Sequence, residues 1–237
     1  MSRFETTKWS LVLAARESDD PTARAALAEL CRCYWYPLFA FARRCTGRAD
    51  SAADHTQGFF ADLLERRTLV NVDPAAGRFR SFLLASFKNY LSHERERATA
   101  AKRGGSRPPI SLDGEAGEAR YLDEPRDEWT PEQQFERNWA LALLARVSDR
   151  LREELEQAGK GREYRALAGF LTDDGGKRPY REVAADLGST EAAVKMAIRR
   201  LRQRYGALLR DEIAQTVRDD ADVDRELRSL LAALRPG

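Results

Sequence analysis

Lys195, Arg199, Arg200, Arg202 and Arg204 crowd into one short stretch of this chain, with no nucleophile, base or metal ligand among them. A row of cations does one kind of chemistry: it holds anions, phosphates above all, and arginine does so with a planar fork of donors. A second basic run, residues 78–107, carries eight Lys and Arg against Glu94 and Glu96, interleaved with Phe79, Phe82, Phe87 and Tyr90. Cations contact phosphates and exposed rings stack on unpaired bases. The helical spacing of these rings nevertheless suits a core for most of them, leaving the polar face for an anion. Catalysis is poorly served. His55 and His93 are the only histidines, and neither neighbours a Ser or Cys nucleophile arrangement. Gly104-Gly105 lacks the strand and helix of a phosphate-cradling loop, and acid pairs such as Glu153–Glu154 fall on a helix surface as solvated charge. Cys31, Cys33, Cys45 and His55 do not have the spacing of a zinc finger. Leu30, Cys31, Tyr34, Leu38, Phe41 and Cys45 share a helical face, which makes at least two of the cysteines small core residues. The expectation is a binding protein, not an enzyme, with no cofactor and no metal.

The elements that must carry these cations are legible locally. In Tyr180–Tyr205, Val183, Ala184 and Leu187 fall on one face of a short helix, Gly188 stands where a left-handed C-cap is wanted, and Ser189 or Thr190 is placed to N-cap the next helix. That next helix buries Val194, Ile198, Leu201 and Tyr205 and turns its basic residues outward. The pattern is that of a helix-turn-helix whose second helix can enter a major groove. It also suits an ordinary surface hairpin with solvated arginines.

Alternating, β-branched patterning is almost absent from the 237 residues, which predicts an all-α protein. Helices are expected over Thr6–Arg16, from Thr22 to about Arg44 with a kink at Pro37, over about Ser51–Arg66, over Phe79–Ala101, from Pro131, and over about Glu163–Leu171. Two small helical domains, 1–102 and 131–206, are expected on either side of a flexible acidic linker, 103–130, whose glycines and prolines read as too broken for a packed helix. An acidic helical extension, 207–237, follows. The net charge is only +2, yet it is distributed in blocks: residues 78–107 sum to +6 and 190–210 to +5, whereas 111–128 and 211–226 each sum to −5. Such blocks suggest two nucleic-acid surfaces and two solvating or masking segments. No signal pattern or membrane-length apolar run is present, so a cytoplasmic, reduced protein is expected.

Three stretches taken together resemble a known family. YWYPLFAFARRCTGRADSAADHTQGFFADLLE, then GRFRSFLLASFKNYL, then the C-terminal YREVAADLGSTEAAVKMAIRRLRQRY look like the extracytoplasmic-function (ECF) sigma factors of bacterial RNA polymerase. The opening TTKWSLVLAAR and the phrase TQGFFADLLE look like a planctomycete-type subgroup. The resemblance covers about residues 5–215.

It implies a factor that binds core RNA polymerase, reads the −35 and −10 elements of promoter DNA and helps to open it. Asp54-His55-Thr56-Gln57 is similar to the family's D-L-T-Q element, on the helix that docks on the β′ clamp. Asp54, Gln57, Asp62 and Glu65 are thereby implied as polymerase contacts, with His55 in place of the usual leucine and Gly58 of a usual acid. The loop Thr68–Gly77 corresponds to the segment that captures a flipped base, with Asn71, Val72 and Asp73 as its candidates, since an unpaired base needs a pocket to offset its unstacking. Arg80, Lys88, Asn89, Ser92 and Arg95 match the −10 reading and melting helix, while Phe82 stands where a tryptophan is usual. In the recognition helix, Ser189, Thr190, Glu191, Ala193 and Lys195 are placed for −35 contacts and Arg199 for phosphate. Arg202 and Arg204 are as well placed for solvent or the polymerase β flap as for DNA. In the family the acidic linker threads the RNA-exit path. An anti-sigma protein, a Ser/Thr kinase or the C-terminal extension could supply control. The extension, with Leu227, Leu230, Leu231 and Leu234, is expected either to fold back and mask basic DNA-binding surface with its acids or simply to pack on the C-terminal domain. Two other readings stay open: a helix-turn-helix regulator acting without core polymerase, and a nucleic-acid-processing enzyme, for which no carboxylate or histidine cluster is found.

Overall fold

The computed structural model describes residues 21–65, 78–100, 112–123, 129–171, 178–217 and 220–235. The expected helix Thr6–Arg16 lies outside them. The regular structure is helical, and the protein is all-α. In chain order the helices are α1 (Pro21–Thr46), α2 (Ala49–Glu65), α3 (Phe79–Ala100), α4 (Leu112–Asp123), α5 (Pro131–Gln157), α6 (Gly161–Leu167) with a 3-10 turn (Ala168–Leu171), α7 (Tyr180–Leu187), α8 (Glu191–Ala214) and α9 (Asp220–Ala233). Helix α1 opens on a proline, whose missing N–H is harmless there, and runs through Pro37. Its exit is made by Gly47 at φ 71°, a left-handed residue whose N–H reaches the Arg43 carbonyl at 3.0 Å.

Two compact units share the chain: residues 1–142 with 213–237, and residues 143–212. This division does not fall at residue 131, where the sequence places a domain start. Pro131–Ala142 belongs to the first unit because Phe135 and Trp139 are buried there, Phe135 stacking against Tyr34 at 6.5 Å between ring centroids. Tyr34 in turn meets Phe79 edge-on at 5.2 Å, and Phe59, Phe41 and Phe87 form a second aromatic group with centroids 5.0 and 6.1 Å from Phe87. Phe79 and Phe87 are fully buried core, as their spacing suggests, whereas Phe82 and Tyr90 are half-buried. Cys33 and Cys45 are half-buried.

The middle of the expected flexible linker is instead a packed helix. Helix α4 lies against α1 and α2. Gly117, which reads as a breaker, is what permits the approach: a Cβ there would lie 3.0 Å from the Trp35 ring and 3.1 Å from Phe39. Glu118 takes two hydrogen bonds from Arg43, at 2.8 and 2.9 Å, and the Arg120 guanidinium lies 3.7 Å from the centre of the Tyr36 ring. Helix α5 starts from a reciprocal cap, in which the Gln133 N–H donates to the Thr130 hydroxyl at 3.2 Å and the Thr130 N–H donates to the Gln133 side chain at 2.8 Å.

The 143–212 unit buries Leu143, Val147 and Leu151 of α5 together with Leu167, Phe170, Val183, Val194, Ile198, Leu201 and Leu208. In the other unit, α9 presents Val223, Glu226 and Leu230 as its buried stripe. Because Phe135 is fully enclosed at the junction of α1, α3 and α5, Phe135→Ala should destabilise the first unit by about 3–5 kcal/mol, read as a lower urea midpoint.

Candidate nucleic-acid interface

The helix-turn-helix is built as its sequence implies, within the 143–212 unit. Gly188 takes φ 62° and ψ 39°, and the Ser189 N–H reaches back to the Ala184 carbonyl at 2.9 Å, closing the end of α7. Of the two capping candidates, Thr190 makes the bond: its hydroxyl accepts from the Ala193 N–H at 3.2 Å. Val194, Ile198 and Leu201 hold α8 down, and Ser189, Thr190, Glu191, Ala193, Lys195 and Arg199 all remain exposed along its first turns. Tyr180 stacks on Phe170 at 5.5 Å, and the Lys195 ammonium lies 5.5 Å from the Tyr180 ring. Tyr180, Lys195, Ile198, Arg199, Arg202 and Gln203 line an open groove of about 430 Å³ along this face.

The later arginines are differently employed. Arg202 donates twice to the Phe170 carbonyl, at 3.1 and 2.9 Å, satisfying the end of the 3-10 turn. Arg204 grips Glu154 in a bidentate pair at 2.8 Å, which holds the Glu154 carboxyl below its ordinary range and the guanidinium above its own. Glu212, nearly buried, pairs with Arg146 at 2.9 Å and Arg150 at 3.1 Å. These cations brace the unit.

In the other unit, Lys88, Asn89, Ser92 and Arg95 are exposed on α3. Lys88 lies 2.5 Å from the Glu132 carboxylate, and Arg95 donates to the Cys45 carbonyl at 3.4 Å. Arg80, grouped with them by the resemblance, is not on that face. It is only 4% exposed, so in this conformation it cannot contact DNA. Its guanidinium lies 4.2 Å from the centre of the Trp139 ring, its Nε is 3.0 Å from Glu226 Oε1, its Nη2 donates to Oε2 at 3.0 Å, and it also pairs with Glu136. Arg78 reaches the same Glu226 at 3.2 Å. Glu226 itself is 1% exposed. Sequence reasoning missed Arg78, Glu136 and Glu226; the available signal was an acid inside the Val223–Leu230 apolar stripe of α9.

On α2, Gln57 is exposed, Asp54 and Asp62 are half-buried, and Glu65 is placed only as the helix end. Asn71, Val72 and Asp73 lie outside the described residues. Gly58 has a packing reason: a Cβ there would fall 2.5 Å from the Tyr90 hydroxyl, so a larger residue would force that ring aside. His55 meets Tyr90 edge-on at 6.5 Å, and burial, outweighing Glu94 and Asp54, lowers its pKa. Among the described residues no helix is long and apolar enough to cross a membrane, and no three His, Cys, Asp or Glu side chains gather as a metal site. Comparison with protein-family models, curated proteins and solved structures finds no match for this chain.

Two outcomes follow. Gly188→Ala meets no steric neighbour but must hold a left-handed residue, so it should cost about 1–2 kcal/mol in thermal or urea unfolding. His55 has a folded pKa below its unfolded value, so below about pH 6.5 the unfolded chain takes up the proton first and stability falls with pH. His55→Leu should therefore flatten the pH dependence of unfolding between about pH 5 and pH 7.5.

Proposed function

We propose that this protein is a sigma factor of the extracytoplasmic-function type, working in the cytoplasm, which brings core RNA polymerase to promoters and helps to open them. The observation that supports this reading best is the exposure of Ser189, Thr190, Glu191, Ala193, Lys195 and Arg199 on the first turns of α8, presented by a capped helix-turn-helix. Helix N-terminal residues reach base edges, and cations one turn later reach phosphates, which suits a −35 element read as duplex. Lys88, Asn89, Ser92 and Arg95 supply a polar, basic face on α3 for the −10 region. Asp54, Gln57, Asp62 and Glu65 on α2 are the polymerase clamp contacts in this reading. The protein needs no catalytic residue of its own, because the polymerase does the chemistry and the factor supplies position and strand separation. An anti-sigma protein or a Ser/Thr kinase remains a fitting controller.

Reconstituted transcription decides the matter. Purified core polymerase with this protein should start at a promoter upstream of its own gene; sequence-specific binding without any initiation would favour a helix-turn-helix regulator acting alone. Within the recognition helix, Lys195→Ala or Arg199→Ala should each reduce the salt dependence of duplex binding by about one unit of log–log slope. Arg204→Ala should leave that slope unchanged and lower the unfolding midpoint, since Arg204 is held by Glu154.

A further inference from the structure

Helix α9 covers the two arginines that stand at the start of α3. Arg78 and Arg80 both pair with Glu226, and the backbone reinforces the contact: the Phe79 N–H donates to the Thr216 carbonyl at 3.2 Å, and Arg78 forms an isolated antiparallel bridge with Val217. The start of a helix favours anions through its dipole and its unpaired N–H groups, and a carboxylate presents to a guanidinium nearly the same paired oxygens as a phosphate. We propose that Arg78 and Arg80 form a nucleic-acid phosphate site and that α9 is its displaceable occupant, Glu226 filling the place of a phosphate. The proposal rests on reading α3 as a DNA-facing helix.

Three observations carry it. The attachment of α9 is thin in apolar terms: Val223 and Leu230 are its buried apolar side chains, while Leu231 on the same helix is 52% exposed. By contrast, α5 buries Phe135, Trp139, Ala140, Leu143, Val147 and Leu151. The specific hold of α9 is therefore the charge cluster, with the Arg137 side chain donating to the Leu234 carbonyl at 3.3 Å. Secondly, Glu226 sits in the middle of the apolar stripe, where an apolar residue would bind more firmly, so the helix is fastened by the one kind of contact that a polyanion can replace. Thirdly, exchange keeps the arginines paired. One anion leaves as another arrives, and neither guanidinium is left buried and uncompensated, which is the costly state. Arg80 keeps Glu136 throughout, so release of Glu226 frees one net positive charge.

The test uses the full chain and a fluorescein-labelled forked DNA, a duplex with an unpaired arm, without polymerase. Glu226→Gln should bind this DNA about tenfold more tightly than wild type at low salt, with a log–log salt slope steeper by about 0.9, the value for one added phosphate contact. Combining it with Arg78→Gln and Arg80→Gln should abolish the gain. A folded Glu226→Gln protein with unchanged affinity and slope overturns the proposal, and so does a gain that survives loss of both arginines. Hydrogen exchange on the wild type gives an independent readout if the variants fold poorly. Saturating DNA should accelerate exchange across residues 220–233, and undiminished protection of α9 in the complex also overturns it. Failure of initiation with core polymerase alongside these gains would remove the sigma reading and leave the gate standing; the reverse pattern would remove the gate alone.

Discussion

Burying an arginine is tolerable only when its donors meet acceptors and its charge meets a counter-charge. Around Arg80 the first unit supplies the counter-charge and an acceptor for Nη2, while the buried Nε lies close to Glu226 without a hydrogen bond. The Trp139 ring covers one face of the guanidinium, and Glu226 and Glu136 take its edge. Burial still pulls the group down from its ordinary pKa, with Glu226 as the largest opposing influence. Glu136 and Trp139 come from α5 and Glu226 from α9, so the charge is compensated only when α3, α5 and α9 are all in place. The Tyr34 hydroxyl of α1 lies in the same surroundings and is driven far above its ordinary pKa by burial. This requirement joins the burial of Phe135, Trp139, Ile213 and Val217 in tying residues 131–142 and 213–237, distant in the chain, to the N-terminal helices.

What was legible in the sequence follows from the range over which each determinant acts. The helix-turn-helix depends on Gly188, Thr190 and the Val194–Leu201 stripe, all within a few residues of one another, and periodicity and capping rules find it whole. The all-α class is a sum of such local signals. The Arg80–Glu226 contact joins residues 146 positions apart, and nothing in either neighbourhood names the other. Helix α4 was hidden for another reason. Glycine has two uses, breaking a helix and letting two backbones approach, and composition alone does not distinguish them; the Trp35 and Phe39 rings beside Gly117 do.

Charge counting misleads in a related way. The five cations of the 195–204 stretch read as one anion-binding row, yet Arg202 and Arg204 are committed to the Phe170 carbonyl and to Glu154, so the candidate interface narrows to the first turns of α8. The basic block at 78–107 is likewise smaller in effect than its sum of +6, because Glu226 and Glu136 attend to Arg78 and Arg80, and Glu132 to Lys88. One acidic block supplies part of that compensation through Glu226, while Glu118 of the other holds Arg43, a cation outside both basic blocks.

The choice of an ion pair to fasten α9 has a consequence that an apolar contact would not have. Replacing a buried pair with well-packed apolar side chains commonly leaves a protein as stable or more so, so Glu226 is not explained by stability alone. What the pair supplies is selectivity about what may take its place. A leucine at 226 would yield only to another apolar surface, whereas a carboxylate held by two guanidiniums yields to any better-placed anion. The same geometry makes the contact all-or-none, since removing one partner leaves a buried charge that the remaining contacts of a lightly packed helix cannot offset. An acidic helix fastened in this way is stable in the absence of a polyanion and replaceable in its presence, and both properties come from the one buried carboxylate.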